Sequence, residues 1–233
     1  MEAFKKGVQH GIPIGLGYFS VSIGFGLLAA SGGLSLWQTV LISMTNLTSA
    51  GQLAGVQVMF AGGPLVEMAV TQLFINLRYA LMSVALSQKM ESRVGLGKRL
   101  GIAFFNTDEI FAVSASQPER LSGRYMAGLA VLPYIGWTLG TLVGAVAGTA
   151  LPAVIRDGMG LLIYGMFLAI IVPPARHNVP IRIAVLLAAA LSCMLRYTPY
   201  LNRISGGFAV VLCALIASVY CALRHPIKEA KDI

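Results

Sequence analysis

Asn46-Leu47-Thr48-Ser49-Ala50-Gly51-Gln52 interrupts an apolar run that extends from Leu36 to Ala61. Seven mostly small or polar residues form an ordinary loop when water surrounds them. The rest of the chain removes that option. Of its 233 residues, 57% are hydrophobic and 11% charged, against about 25% charged in a soluble domain. Mean hydropathy is +0.77. Apolar runs of about 20 residues, enough to cross a bilayer core as helix, recur from end to end. No run alternates with period two as barrel strands do, and no polar stretch is long enough to fold as a soluble domain. The fold class is an all-α polytopic membrane protein, one integral-membrane domain over residues 1–233.

The formal net charge of +8 does not point to nucleic acid. The charges sit in loops between apolar runs, where they set topology. Cys193, Cys213 and Cys221 all lie in apolar runs and form no disulfide framework or metal spacing. His10, His177 and His225 sit near loops and ends, and no pair has metal spacing. No Ser/His/Asp set, cofactor fingerprint or nucleotide loop is evident, so no cofactor, metal or enzyme activity is expected. The G-L-G-K-R at 95–99 lacks the phosphate-loop spacing and no strand precedes it. The N-terminal stretch has a basic start and Ala-Ala-Ser near position 30, but its apolar part is long and carries Pro13 and several glycines. It reads as a first transmembrane helix rather than a signal peptide.

The expected spans are Gly11–Ala30, Pro64–Ser87, Tyr125–Ala150, Gly158–Val172, Ile183–Leu195 and Gly206–Leu223, with Pro173-Pro174 ending the fourth. Small pairs four apart in the first span, Gly11/Gly15, Ser20/Gly24 and Ser22/Gly26, suit close helix packing. Gly136, Gly140, Gly144 and Gly148 make one continuous small face, read as packing within the chain or to a partner helix. Two further segments are broken: Leu36–Ala61 at 46–52, and 100–117 at Asn106-Thr107-Asp108-Glu109. If Leu36–Ala61 crossed fully, the basic 88–99 loop would fall on the outer side. If both broken segments dip in and return, Lys5, Lys6, Lys89, Arg93, Lys98, Arg99, Arg120, Arg124, Arg176, Arg182, Arg224, Lys228 and Lys231 share the cytoplasmic side. Arg156, Arg196 and Arg203 are then outside, and Arg78 is within a span. The halves 36–47 and 52–61 are each about 15–18 Å as helix, half a bilayer. The expectation is about six full transmembrane helices plus two broken or re-entrant half-membrane hairpins, with both termini cytoplasmic. A broken but fully crossing helix is the rival geometry. Paired interrupted segments also suggest an inverted repeat, although the halves do not align.

Unwound backbone at membrane depth is tolerated only where it is buried in protein or lines a wet cavity. A break exposes a helix N-terminus that suits a carboxylate. Thr48, Ser49, Gly51 and Gln52 are therefore candidates to bind a small solute, with a simple kink as the plain alternative. Asn76 and Arg78 are the next candidates. An intramembrane Arg costs at least about 2.5–3.5 kcal/mol on insertion scales, so it needs a partner or a role. Arg78 can meet a substrate carboxylate, Asp108 or Glu109, or it can snorkel toward the basic loop. Asp108 and Glu109 can titrate as coupling carboxylates, or can simply begin a helix behind an Asn or Thr cap.

The motifs S-A-G-Q at 49–52, I-N-L-R-Y at 75–79, T-D-E-I-F-A at 107–112 and G-x-x-I-Y-G-M-F-L-A-I-I-V-P-P at 160–174 together resemble the AzlC family. Each is weak alone; four in order over nearly the whole chain are specific. The family's F-A-G-S-A-Q-F at the first break stands here as L-T-S-A-G-Q-L, and Tyr79 stands where His is frequent. The resemblance implies the large subunit of a bacterial inner-membrane exporter of branched-chain amino acids, acting with a small multispanning AzlD-like protein. By position, Gly51, Gln52, Asn76, Arg78, Asp108 and Glu109 match the family's polar motifs. Such an export would be proton-linked, with Asp108 and Glu109 as the coupling groups. A passive pore subunit and a non-transporting scaffold are the alternatives.

Overall fold

The computed structural model describes residues 1–150, 152 and 162–225. The described residues are helical throughout, joined by short turns and a single parallel bridge between Met90 and Leu121. The helices are α1 (Glu2–Ser31), α2 (Leu36–Thr45), α3 (Ser49–Phe60), α4 (Leu65–Lys89), α5 (Leu96–Phe104), α6 (Asp108–Ala115), α7 (Gly123–Ala150), α8 (Leu162–His177), α9 (Val179–Tyr197) and α10 (Gly206–Arg224). Five of them, α1, α4, α7, α9 and α10, are long and apolar enough to cross a membrane. Large apolar side chains point outward along them, as on α4 at Leu73, Leu77, Leu81 and Val84. A stripe of this kind on a water-soluble protein would be an aggregation surface; in lipid it is the solvent-facing side.

The chain forms two compact units, one of Met1–Leu53 with Ile75–Tyr164, the other of Ala54–Phe74 with Gly165–Ile233. In the first unit α1 packs along α7, and glycine is the reason they pack so closely. A Cβ on Gly136 would collide with the carbonyl oxygen of Gly15, one on Gly140 with that of Phe19, and one on Gly144 with that of Ile23. The reverse holds on α1, where a Cβ on Gly7 or Gly26 would strike the carbonyls of Tyr125 or Thr141. The two small faces seen in the sequence are therefore one interface within this chain, held by backbone-to-backbone approach as in other lipid-embedded helix pairs. Near the basic loop, Leu86, Met90, Val94, Ile110, Leu121, Tyr125, Met126 and Leu129 form a buried cluster. Two loop cations help to hold it. Lys89 Nζ donates to the carbonyls of Ala115 (2.5 Å) and Gln117, and Arg99 donates to Ser87 O (2.5 Å), Ser87 Oγ (2.6 Å) and Val94 O (2.8 Å).

In the second unit α9 and α10 form a hairpin, with Cys221 Sγ 3.7 Å from Pro180 O. Glu67 is buried there and accepts a hydrogen bond of 2.9 Å from the Gly207 N–H, in the first turn of α10. A carboxylate at a helix N-terminus satisfies an orphan N–H and meets the positive end of the dipole.

Several boundaries differ from expectation. α1 starts at Glu2 rather than Gly11, because nothing in 2–10 breaks a helix and Pro13 is tolerated within it. α2 starts at Leu36 as expected, behind a capping box: Gln38 N donates to Ser35 Oγ (3.3 Å) and Ser35 N to Gln38 Oε1 (2.9 Å). Pro173 and Pro174 do not end α8, which continues to His177; interior prolines are tolerated in membrane helices. α9 begins at Val179, since the Asn178 side chain accepts from Ile181 N at 3.3 Å. Residues 158–161 of the fourth expected span, and Arg156, Lys228 and Lys231, lie outside the described residues.

Candidate functional site

Both interruptions are present, and each is shorter than the polar stretch that announced it. The first comprises residues 46–48, the second 105–107.

At the first, Asn46 ends α2 with extended backbone. Its Oδ1 accepts from Thr48 N (3.1 Å) and Thr48 Oγ1 (3.0 Å), an Asx turn that carries the chain into α3. Gln52, one turn into α3 and only 1% exposed, folds back over the break. Its Nε2 donates to the Asn46 carbonyl and approaches Ser43 Oγ (3.3 Å) and Ile42 O (3.4 Å). Its Oε1 accepts from Trp137 Nε1 at 3.1 Å. Ser43 Oγ in turn shares a 2.8 Å hydrogen bond with Thr141 Oγ1. The polar groups of Thr48 and Gln52 are thus engaged within the protein, the latter replacing partners that the break took away. Ser49 lies half-buried and Gly51 buried in the first turn of α3.

The second break is built on Asn106 and Thr107. Asn106 Nδ2 donates to Ser83 Oγ (3.1 Å), while its buried Oδ1 has no hydrogen-bond partner among the described residues. Thr107 caps α6, its side chain accepting from Ile110 N at 3.5 Å. The helix-start reading of Asp108 and Glu109 is therefore correct, but it is not the whole of their role. Asp108 pairs with Arg78, Nη2 to Oδ2 2.9 Å, the side chains being 42% and 50% exposed. Of the fates open to Arg78, the ion pair with Asp108 is the one adopted. Its guanidinium also lies 4.9 Å from the Tyr79 ring centroid, with Nη2 3.1 Å from the Tyr79 hydroxyl. Glu109 accepts from the Tyr18 hydroxyl. Asn76 is half-buried on α4 and is engaged with its surroundings.

One aromatic path joins the two breaks. Trp137 bonds Gln52, the Tyr18 ring meets Trp137 edge-on at 5.3 Å, and the Tyr18 hydroxyl reaches Glu109. Tyr134 adds a second tie, its hydroxyl donating to Met44 O (3.2 Å) and its ring meeting Phe105 at 5.4 Å. Sequence reasoning missed Tyr18, Tyr134 and Trp137. The available signal was chemical: a Trp or Tyr in mid-span carries an N–H or O–H that needs a partner when buried. With one guanidinium and two carboxylates, the second break carries groups complementary to those of a zwitterion.

Long apolar helices together with two interrupted ones, one of them bearing paired charges, define a polytopic α-helical membrane protein. The chain belongs to the AzlC family: the family model described as AzlC protein matches residues 13–151. That stretch contains Thr48, Ser49, Gly51, Gln52, Asn76, Arg78, Asp108 and Glu109; the 160–174 motif lies beyond it. An uncharacterized membrane protein of Archaeoglobus fulgidus is 31% identical over 173 residues, 73% of this chain and 75% of that protein. The inner membrane protein YgaZ of Escherichia coli K12 is 26% identical over 225 residues, 93% of this chain and 91% of YgaZ. An uncharacterized membrane protein of Helicobacter pylori J99 is 24% identical over 181 residues, 76% of this chain and 78% of that protein. No solved structure matches the chain.

Proposed function

We propose that this protein is a secondary transporter that exports branched-chain amino acids across a bacterial inner membrane, is driven by protons, and works with a small AzlD-like membrane subunit. The single observation that carries the reading is the half-exposed Arg78–Asp108 pair with Glu109 beside it at a helix break. A half-exposed pair is worth at most about 1 kcal/mol, so a substrate carboxylate can take the place of Asp108 on Arg78 at little cost. The substrate ammonium then meets Glu109 and the released Asp108. Protonation of either carboxylate removes that attraction, so proton binding and substrate binding oppose each other, as exchange requires. Tyr18, Tyr79 and Arg78 are the titratable groups facing them. The inner-membrane location follows the name of YgaZ, and the cytoplasmic termini follow the loop charges. We read the chain as a carrier and not an enzyme.

The test is valine flux in proteoliposomes holding the full chain with and without a small AzlD-like membrane protein. Saturable counterflow, and net efflux that follows an imposed pH gradient, are expected. Efflux indifferent to collapse of the gradient ends the proton coupling. Flux that does not saturate turns the reading to a pore, and no flux with either composition turns it to a scaffold.

A further inference from the structure

Along one flank of the first unit lies a groove of about 990 Å³, bounded chiefly by α5 and the first half of α7. Both helices enter it from the same end. Val94, just before α5, lies 3.8 Å from where a Cβ of Gly123 would be, and Phe105, just after α5, meets Tyr134 at 5.4 Å. The two helices therefore run side by side in the same direction. Between Arg124 and Ile135 α7 rises about 16 Å, close to half of the ~30 Å hydrocarbon core. The groove is as deep as one leaflet.

Its chemistry is graded along that depth. The apolar wall includes Phe4, Ile102, Val131 and Ile135, and the Phe105–Tyr134 contact lies at the deep end. The shallow end is basic, with Arg93, Lys98 and Arg124. Arg93 is committed to Glu91 (2.5 Å). Lys98 and Arg124 meet no carboxylate at ion-pair distance among the described residues. Two unspent cations thus crown an apolar slot one leaflet deep. A Cβ on Gly101, which lines the slot, would meet nothing within 4 Å.

The geometry points to a binding site for an anionic phospholipid, with the headgroup phosphate on Lys98 and Arg124 and an acyl chain along Gly101, Ile102 and Val131. A zwitterionic lipid fits the slot but leaves the net positive charge uncompensated. A partner helix fills apolar volume but brings no anion to the crown by its nature. Basic pockets beside membrane helices hold anionic headgroups on the same principle. The site is independent of the transported solute. It would brace α5, the helix that leads into the break carrying Asp108.

Native mass spectrometry of the full chain in detergent, titrated with phosphatidylglycerol or phosphatidylcholine of identical acyl chains, tests it. Phosphatidylglycerol should be retained preferentially. K98Q and R124Q should each reduce that preference about fivefold, the equivalent of ~1 kcal/mol per basic residue at an anionic surface. Gly101→Phe, whose side chain enters open space, should weaken binding of both lipids, with size-exclusion elution unchanged as the check on folding. Equal retention of the two lipids by the unmodified protein overturns the proposal. So does an undiminished preference in K98Q/R124Q, full phosphatidylglycerol binding by Gly101→Phe, or a photo-crosslinker at position 101 that captures a protein instead of lipid.

Discussion

At residues 46–48 an asparagine closes one helix and a threonine leads into the next; at 105–107 Phe105 closes the helix, and an asparagine and a threonine lead into the next. The surroundings then diverge. Around the first break Gln52 is 1% exposed and its amide is consumed by the Asn46 carbonyl, Ser43 and Trp137. Around the second, Arg78 and Asp108 are half exposed, Glu109 depends on Tyr18, and Asn106 Oδ1 has no partner among the described residues. A satisfied break holds shape; a break with exchangeable partners can bind. The difference shows that a polar interruption in an apolar run need not be a site, because the protein can supply partners for its side chains internally.

The contrast can be broken by mutation. The largest effect should come from the second break. Asp108→Ala takes the carboxylate from Arg78, costing at most about 1 kcal/mol of stability, and should bring valine counterflow to background. The charge exchange R78D/D108R should recover membrane yield but not transport. Recovery of both would make the pair structural only. Next comes Gln52→Ala, which strands the Asn46 carbonyl and Trp137 N–H and should cost about 1–3 kcal/mol of stability. Thermal melting should report it while the KM of the surviving protein stays unchanged. A raised KM at unchanged stability would move the substrate to the first break. Glu109→Gln keeps the size and hydrogen-bonding capacity of the side chain, so stability should change little; efflux should lose its response to a pH gradient, while counterflow persists with a raised KM for valine. The smallest effect is expected for Asn46. Asn46→Ala removes the acceptor for Thr48 and should cost about 1 kcal/mol in melting experiments, as loss of a cap does, with Asn46→Asp restoring it.

The breaks were legible because polar residues in an apolar run stand out. Arg78, Asp108 and Glu109 were legible because a charge in lipid demands an explanation. The small-residue faces at 11–26 and 136–148 could be read as packing surfaces, but not as each other's partner. Tyr18 and Trp137 were not legible, since an aromatic residue in an apolar span looks like any lipid-facing or packed side chain. A helix limit failed where local chemistry was overrated, as at Pro173-Pro174, which a helix carries without ending.

Composition and order along the chain determined by themselves that this is a helical membrane protein with two broken segments, a charged cluster and small-residue helix faces. These properties depend on the solvent each stretch can tolerate, and that is local. Only the tertiary structure decided which polar side chains at each break are paired, and with what. Whether a polar group is satisfied depends on donors and acceptors brought from elsewhere: Trp137 reaches Gln52 across 85 positions, and Tyr18 reaches Glu109 across 91. In the polar heptad Asn46–Gln52, the most conspicuous feature of the sequence, the side chains of Asn46, Thr48 and Gln52 proved to be bonded within the protein.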